Sequence, residues 1–457
     1  MLDLVENWNS MNYFVLLGVL LFIAKIIKEK LPFLNKVIIP TALIAGLIGL
    51  LLSNGFLNVI TIDREGILHN IVYHALAIGF IALSLKRDKN PTNKKVWSTG
   101  MIIVMAYLLQ AIIGVTIVFL FFSDIFLGAG LLLPLGFGQG PGLATSIGIG
   151  YAEGVGKLLE GGALGATIAS LGFVVGGTVG VSALNYLARK HNLDVDRVHK
   201  ENSTIKEKFE FESIKELRVF DALTAQMAII FVIYAMVYIT LVILENHFLP
   251  LFGSIGETFI GVAHGFNFLI GILYALLFKK ILLAFESKGK NINFLTNNYI
   301  LSNISSLAFN FLIAAAVMTI TIESIKEYYL LVIVLAIFAT IFTYLFISFM
   351  VKKVYSEKYF IHYFLGLFGM LTGTASTGLA LLKGVDQDFE SPVAEEMVVG
   401  SGTAISMALP LFALLMFPGL AITQNNNIYN WLVFIVPITY FFILLGITLT
   451  INKGNKD

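Results

Sequence analysis

The chain has 457 residues, of which 57% are hydrophobic and only 13% charged, with a net charge of +1. Soluble domains carry about a quarter charged residues, so lipid rather than water must cover much of this surface. The near-zero net charge gives no basis for nucleic-acid binding. The absence of cysteine excludes disulfides and thiolate metal sites.

A membrane-crossing helix needs roughly 20 apolar residues. The first ten residues are acidic and polar and lack the basic stretch of a signal peptide, so the first apolar run is expected to stay as a span. Apolar runs follow at 11–28, 37–53, 67–85, 96–122 and 161–188. A polar, charged stretch at 189–217 reads as a cytoplasmic linker, with Phe209, Phe211 and Ile214 placed for a short surface helix. The second set of apolar runs lies at 220–244, 259–278, 299–321, 328–351 and 393–422, and a last one at 429–451.

Two segments break this pattern. Residues 128–151, GAGLLLPLGFGQGPGLATSIGIGY, hold eight glycines and two prolines. Residues 364–381, FLGLFGMLTGTASTGLAL, hold four glycines and a Thr/Ser cluster. Glycine costs about 1 kcal/mol and proline about 3 in a helix interior, so neither segment reads as one continuous helix. Broken backbone at membrane depth is tolerated only where protein buries it or it lines a wet cavity.

Charge supports two re-entrant hairpins. With both segments returning to the side they enter from, 27 of the 30 Lys and Arg fall on the cytoplasmic side, leaving Arg64, Lys157 and Lys326 outside. If the first segment crossed instead, the linker's basic residues would move outside, against the positive-inside rule. The expected fold is therefore an all-α polytopic membrane protein with about eleven spans. It comprises two inverted five-helix repeats (1–188 and 218–422), each with a re-entrant hairpin, joined by the linker at 189–217. A C-terminal span and tail (423–457) lie outside the repeat. The N-terminus is expected outside, the linker and C-terminus inside. Inverted repeats with broken helices are the architecture of secondary transporters, whose sites lie near the midplane.

The hairpins supply the candidate site. In the first, Gly138, Gln139, Gly140, Pro141 and Gly142 are followed by Thr145 and Ser146. Glycines admit close backbone approach, unwound carbonyls suit Na⁺, and the N-terminus of the returning half-helix suits a carboxylate. In the second, Thr372, Gly373, Thr374, Ser376 and Thr377 supply hydroxyl and carbonyl oxygens. Small residues and hydroxyls also serve plain helix packing. Asn303, Ser305 and Ser306 lie inside another span, and Asn310 two turns deeper. Glu153, Glu395 and Glu396 read chiefly as helix-end charges, and His69 and His74 as packing groups with a proton relay as the other option. No Lys or Arg is expected near the midplane. The sequence holds no His-rich or paired-acid motif inside a span, so no enzyme activity and no cofactor are expected. A proton-coupled carrier of another solute, a channel and a ligand-binding sensor stay open as alternatives.

These motifs resemble the bacterial sodium/glutamate symporter family. The resemblance rests on Ile39-Pro40 with Gly46, the first hairpin, the run from Gly172 to Gly180 (GFVVGGTVG), and the Ser302–Ser306 segment, with the second hairpin looser. It covers nearly all of the ten-span core and not the last span. It implies Na⁺-driven uptake of glutamate or a related carboxylate across the bacterial inner membrane, a homodimer, and a mobile core carrying the hairpins past a static scaffold. Glutamate carriers of the family have a histidine where this chain has Gln139, and Pro141 follows in the same turn. Family members also carry an acid beyond the position of Val399–Thr403.

Overall fold

A computed structural model describes residues 9–31, 39–54, 56–86, 94–154, 156–190, 218–252, 267–286, 296–386 and 391–453. The linker expected at 189–217 lies outside these residues except for Arg189 and Lys190. Eighteen α-helices follow in order among these residues. The first half holds α1 (Asn9–Lys30), α2 (Thr41–Leu52), α3 (His69–Leu85), α4 (Lys94–Phe121), α5 (Leu132–Gln139), α6 (Pro141–Glu153), α7 (Gly161–Val175) and α8 (Val181–Lys190). The second holds α9 (Arg218–Ile243), α10 (Asn267–Glu286), α11 (Asn298–Met318), α12 (Ile322–Val354), α13 (Phe360–Leu371), α14 (Ala375–Lys383), α15 (Val393–Met407), α16 (Leu409–Leu414), α17 (Phe417–Thr423) and α18 (Ile428–Ile451).

Nine helices among the described residues are long and apolar enough to cross a membrane, and the bent pair 393–423 makes a tenth. The protein is thus a multi-pass helical membrane protein. Bulky apolar side chains such as Phe22, Tyr238, Leu345 and Phe442 stand exposed along α1, α9, α12 and α18, where lipid would cover them.

Local chemistry sets the helix ends. The Asn297 side chain caps α11 by accepting from Tyr299 N at 2.9 Å and Ile300 N at 3.2 Å. Thr321 caps α12 by accepting from Ser324 N at 2.9 Å. Only 319–321 therefore separate these helices, and the loop expected at 322–327 is helical. The span expected at 37–53 differs more. Its helix starts after Pro40 and has 12 residues, about 18 Å at 1.5 Å per residue, short of a 30 Å hydrocarbon core. The span expected at 393–422 bends by 48° between α15 and the α16–α17 segment, where Pro410 cannot continue the ladder.

The helices sort into two bundles. α1, α2, α3, α9, α10 and α11 pack together, α3 against α11 most closely. They share two apolar clusters, one around Leu20, Val72 and Ala315, the other around Ile81, Ile233 and Leu301. The second bundle holds α4 to α8 and α12 to α18, with α4 buried along most of its length. The bundles meet chiefly where α6 and α7 pack on α3 and α11.

Candidate functional site

Each glycine-rich segment folds into a hairpin of two short helices. In the first, α5 ends at Gly140, whose φ of 90° and ψ of 178° lie where L side chains are strongly disfavoured. Pro141 then starts α6, its fixed φ suited to a first helical position. The chain returns to the end it came from, since the rings of Phe126 and Tyr151 lie 5.1 Å apart. In the second, α13 and α14 pack face to face through Gly366, Gly369 and Gly378, with 372–374 as the turn.

The hairpins enter from opposite ends of the bundle. Thr99, near the start of α4, bonds Tyr355, just beyond α12, at 2.6 Å, and mid-helix Gln110 bonds Thr343 at 3.0 Å. α4 and α12 are therefore antiparallel, and the hairpins that follow them approach head-on. Their tips touch: a Cβ built on Gly140 would stand 3.2 Å from Thr374 Cγ2.

α7 closes one side of this junction. A Cβ on Gly172 would lie 2.8 Å from the Thr372 carbonyl oxygen and 3.3 Å from Phe137 Cα. A Cβ on Gly176 would lie 3.1 Å from both Thr372 Oγ1 and Thr377 Cγ2. A side chain at 172 would force the Thr372 carbonyl to shift, and one at 176 would need both threonine side chains to give way. At Gly176 the helix widens into one π turn, Gly176–Gly180, a local feature frequent at functional sites.

α4 closes the other side. Tyr107 donates to the Gly138 carbonyl at 3.2 Å, and Gln110 Nε2 donates to the Leu371 carbonyl at 3.0 Å. The C-terminal ends of both descending half-helices are thus held by side-chain donors. The N-termini of the returning helices α6 and α14 carry no side-chain cap, so their N–H groups and positive dipole ends stay available. Gln110 Oε1, Thr145 Oγ1 and Thr377 Oγ1 are buried without a hydrogen-bond partner among the described residues. Such orphans are rare, and each asks for a ligand, a water or a strain account.

The sequence candidates separate accordingly. Gly138, Gly140, Pro141 and Gly142 are buried at the first tip, with Gln139 half-buried beside them. Thr145 and Ser146 sit buried one turn into α6. Thr372, Gly373 and Thr377 are buried in the second tip, Thr374 is half-buried and Ser376 exposed, and the Thr374 and Ser376 hydroxyls share a 2.8 Å bond.

Asn303 and Ser306 are not brought to the tips. α11 meets the first hairpin at Leu312, against Gly142. Asn303 lies nine residues earlier, about 13 Å along the axis and half a turn round, and its side chain is exposed, as is that of Ser306. Ser305 is buried and Asn310 half-buried on the same helix. Glu396 is buried at the base of the second hairpin and accepts from Tyr363 Oη at 2.5 Å. Glu153 and Glu395 are exposed. His74 Nδ1 pairs with Tyr234 Oη at 2.5 Å, and His69 Nε2 lies 3.6 Å from where a Cβ on Gly162 would stand.

Sequence reading missed Tyr107, Gln110 and Thr343. The available signal was one amide inside the 28-residue apolar helix α4. No cluster of three acidic or histidine groups suited to a metal exists among the described residues. The oxygens at the tips come from neutral hydroxyls and carbonyls.

No protein-family model and no curated protein matches the chain. What fold and site define is a class: a multi-pass helical membrane protein in which two broken hairpins meet tip to tip inside a helix bundle.

Proposed function

We propose that the chain is a secondary active transporter that carries glutamate or a related small carboxylate together with Na⁺ by alternating access. The observation that carries this reading is the head-on meeting of two broken hairpins, with two uncapped helix N-termini and buried hydroxyls that have no hydrogen-bond partner among the described residues. Broken half-helices that aim N-termini at an anion and carbonyls at a cation are the recurrent design of such carriers. The donor set fits both ligands. The N-termini of α6 and α14 suit a carboxylate without any Lys or Arg. Thr377 Oγ1, beside Gly373, and the carbonyl and hydroxyl of Thr372, admitted by Gly172 and Gly176, supply neutral oxygens suited to a monovalent hard cation.

The packing supports an inverted repeat, α1–α8 against α9–α17. α2 lies on α11 as α10 lies on α3, and α5 turns back along α4 as α13 turns back along α12. α18 stands outside the repeat. In this reading the bundle of α1–α3 and α9–α11 is the static scaffold and, in a homodimer, supplies the interface. The hairpin bundle is the mobile part, in the bacterial inner membrane with the N-terminus outside and the C-terminus inside.

The test is uptake into liposomes by the purified protein. Labelled glutamate should accumulate with an inward Na⁺ gradient and not without it. If no carboxylate in a panel is taken up with Na⁺, the reading fails. A second reading, proton coupling, draws on the buried carboxylate of Glu396, since intramembrane acids often serve proton relays. Uptake driven by a pH gradient in Na⁺-free medium would favour it.

A further inference from the structure

Gln110 stands near the middle of α4 with no exposed surface. Its Nε2 serves two oxygens, Thr343 Oγ1 on α12 and the carbonyl of Leu371 at the end of α13, each at 3.0 Å. Both amide hydrogens are thereby used. Its Oε1 has no donor among the described residues. That oxygen faces the first hairpin, 3.5 Å from where a Cβ on Gly138 would stand. One turn earlier on the same helix, Tyr107 holds the Gly138 carbonyl at 3.2 Å.

The amide is therefore lopsided. One end is satisfied on the second hairpin, and the other is bare toward the first. Packing alone would be served as well by Met or Leu, and a buried polar atom without a partner is unfavourable. A donor arriving at the first tip, or a shift of Gly138, acts directly on Oε1. Any rotation of the planar amide to meet it withdraws an N–H from Leu371, the residue before the 372–374 turn.

We propose that Gln110 is a positioning residue that couples the two hairpin tips, so that the seating of the second depends on the state of the first. The proposal goes beyond the carrier reading and borrows from it only the hairpins as ligand-bearing parts.

The chain contains no cysteine, so Ser376→Cys, at an exposed position on the second tip, gives a single thiol. The probe is a membrane-impermeant maleimide, and the readout is its labelling rate in proteoliposomes without any solute. Gln110→Met should change that rate about fivefold, the population shift that one hydrogen bond of typical net strength commands. Gly138→Ala, which must displace the Tyr107 ring, should also change labelling at position 376 when Gln110 is present, and should have no effect on it in the Gln110→Met background. Such non-additivity is the signature of coupling and is not produced by independent structural damage.

Unchanged labelling with Gln110→Met overturns the proposal, as does an equal effect of Gly138→Ala in both backgrounds. Gln110→Glu and Tyr107→Phe replace the two perturbations if either fails to reach the membrane. Lack of Na⁺-driven uptake would sink the functional reading alone, because the labelling experiment needs no transport.

Discussion

Gly140 and Thr374 touch across the bundle: a Cβ on Gly140 would stand 3.2 Å from Thr374 Cγ2. The contact joins hairpins that enter from opposite ends, and it sets the demand on position 140. A side chain there meets both a forbidden backbone region, at φ 90° and ψ 178°, and the opposite tip. Gly140→Ala should cost about 1–3 kcal/mol in backbone strain. Uptake should fall at least tenfold at unchanged membrane yield, with a lower melting temperature in detergent. Wild-type uptake in this variant would remove the tip contact from the mechanism.

Thr377 Oγ1 is buried beside Gly373 with no hydrogen-bond partner among the described residues, while its methyl faces Gly176. If it is a cation ligand, Thr377→Ser keeps the oxygen and Thr377→Ala or Thr377→Val removes it. The half-saturating Na⁺ concentration should rise about tenfold in the latter two, the equivalent of 1.4 kcal/mol of lost ion binding, and stay near wild type with serine. Equal Na⁺ dependence in all four proteins would exclude this oxygen.

How much of this was legible in the sequence varies with the physics of each element. The hairpin breaks were, because Gly140 and Pro141 are residues whose backbone preferences act locally. The short α2 and the bend after Met407 were not. A hydropathy window sums side chains and passes over what Pro40 and Pro410 do to the ladder. Gln110 was missed because one amide in an apolar run reads as tolerable until its partners, 233 and 261 residues away, are placed. Asn303 was readable as a polar residue in a span, yet its face depends on which neighbour α11 packs against, and that neighbour meets Leu312.

That placement makes a prediction of its own. Asn303→Ala should leave the substrate KM within about twofold, as expected for a surface change away from packed features. Leu312→Ala, which removes the contact with Gly142, should impair uptake more than it lowers expression. A tenfold rise in KM for Asn303→Ala would mean that the bundles rearrange to bring it to the tips.

Two tyrosines hold the backbone where helices are interrupted after α15. Tyr440 on α18 donates to the Met407 carbonyl and Tyr151 to the Leu415 carbonyl, both at 2.8 Å. Each bond should contribute about 1 kcal/mol. Tyr440→Phe should therefore lower the melting temperature by a few degrees with uptake intact. Tyr151 belongs to the returning arm of the first hairpin, so Tyr151→Phe should also slow uptake. Equal and purely thermal effects would argue that the base of that hairpin is passive.

Glu396 decides between the two coupling readings. It is buried, and Tyr363 Oη donates to it at 2.5 Å. Glu396→Gln keeps an acceptor of the same shape for that tyrosine while removing the charge and the capacity to exchange a proton. In a Na⁺-driven cycle the carboxylate is structural. The variant should then transport within about threefold of wild type, the cost of one weakened hydrogen bond, and its uptake should keep the same Na⁺ and pH dependence. In a proton-driven cycle the neutral amide mimics one protonation state permanently. Net uptake would then stop while exchange of internal for external solute continues, and the pH profile would flatten. Uptake and exchange measured side by side from pH 5 to pH 8, with and without Na⁺, separate these outcomes.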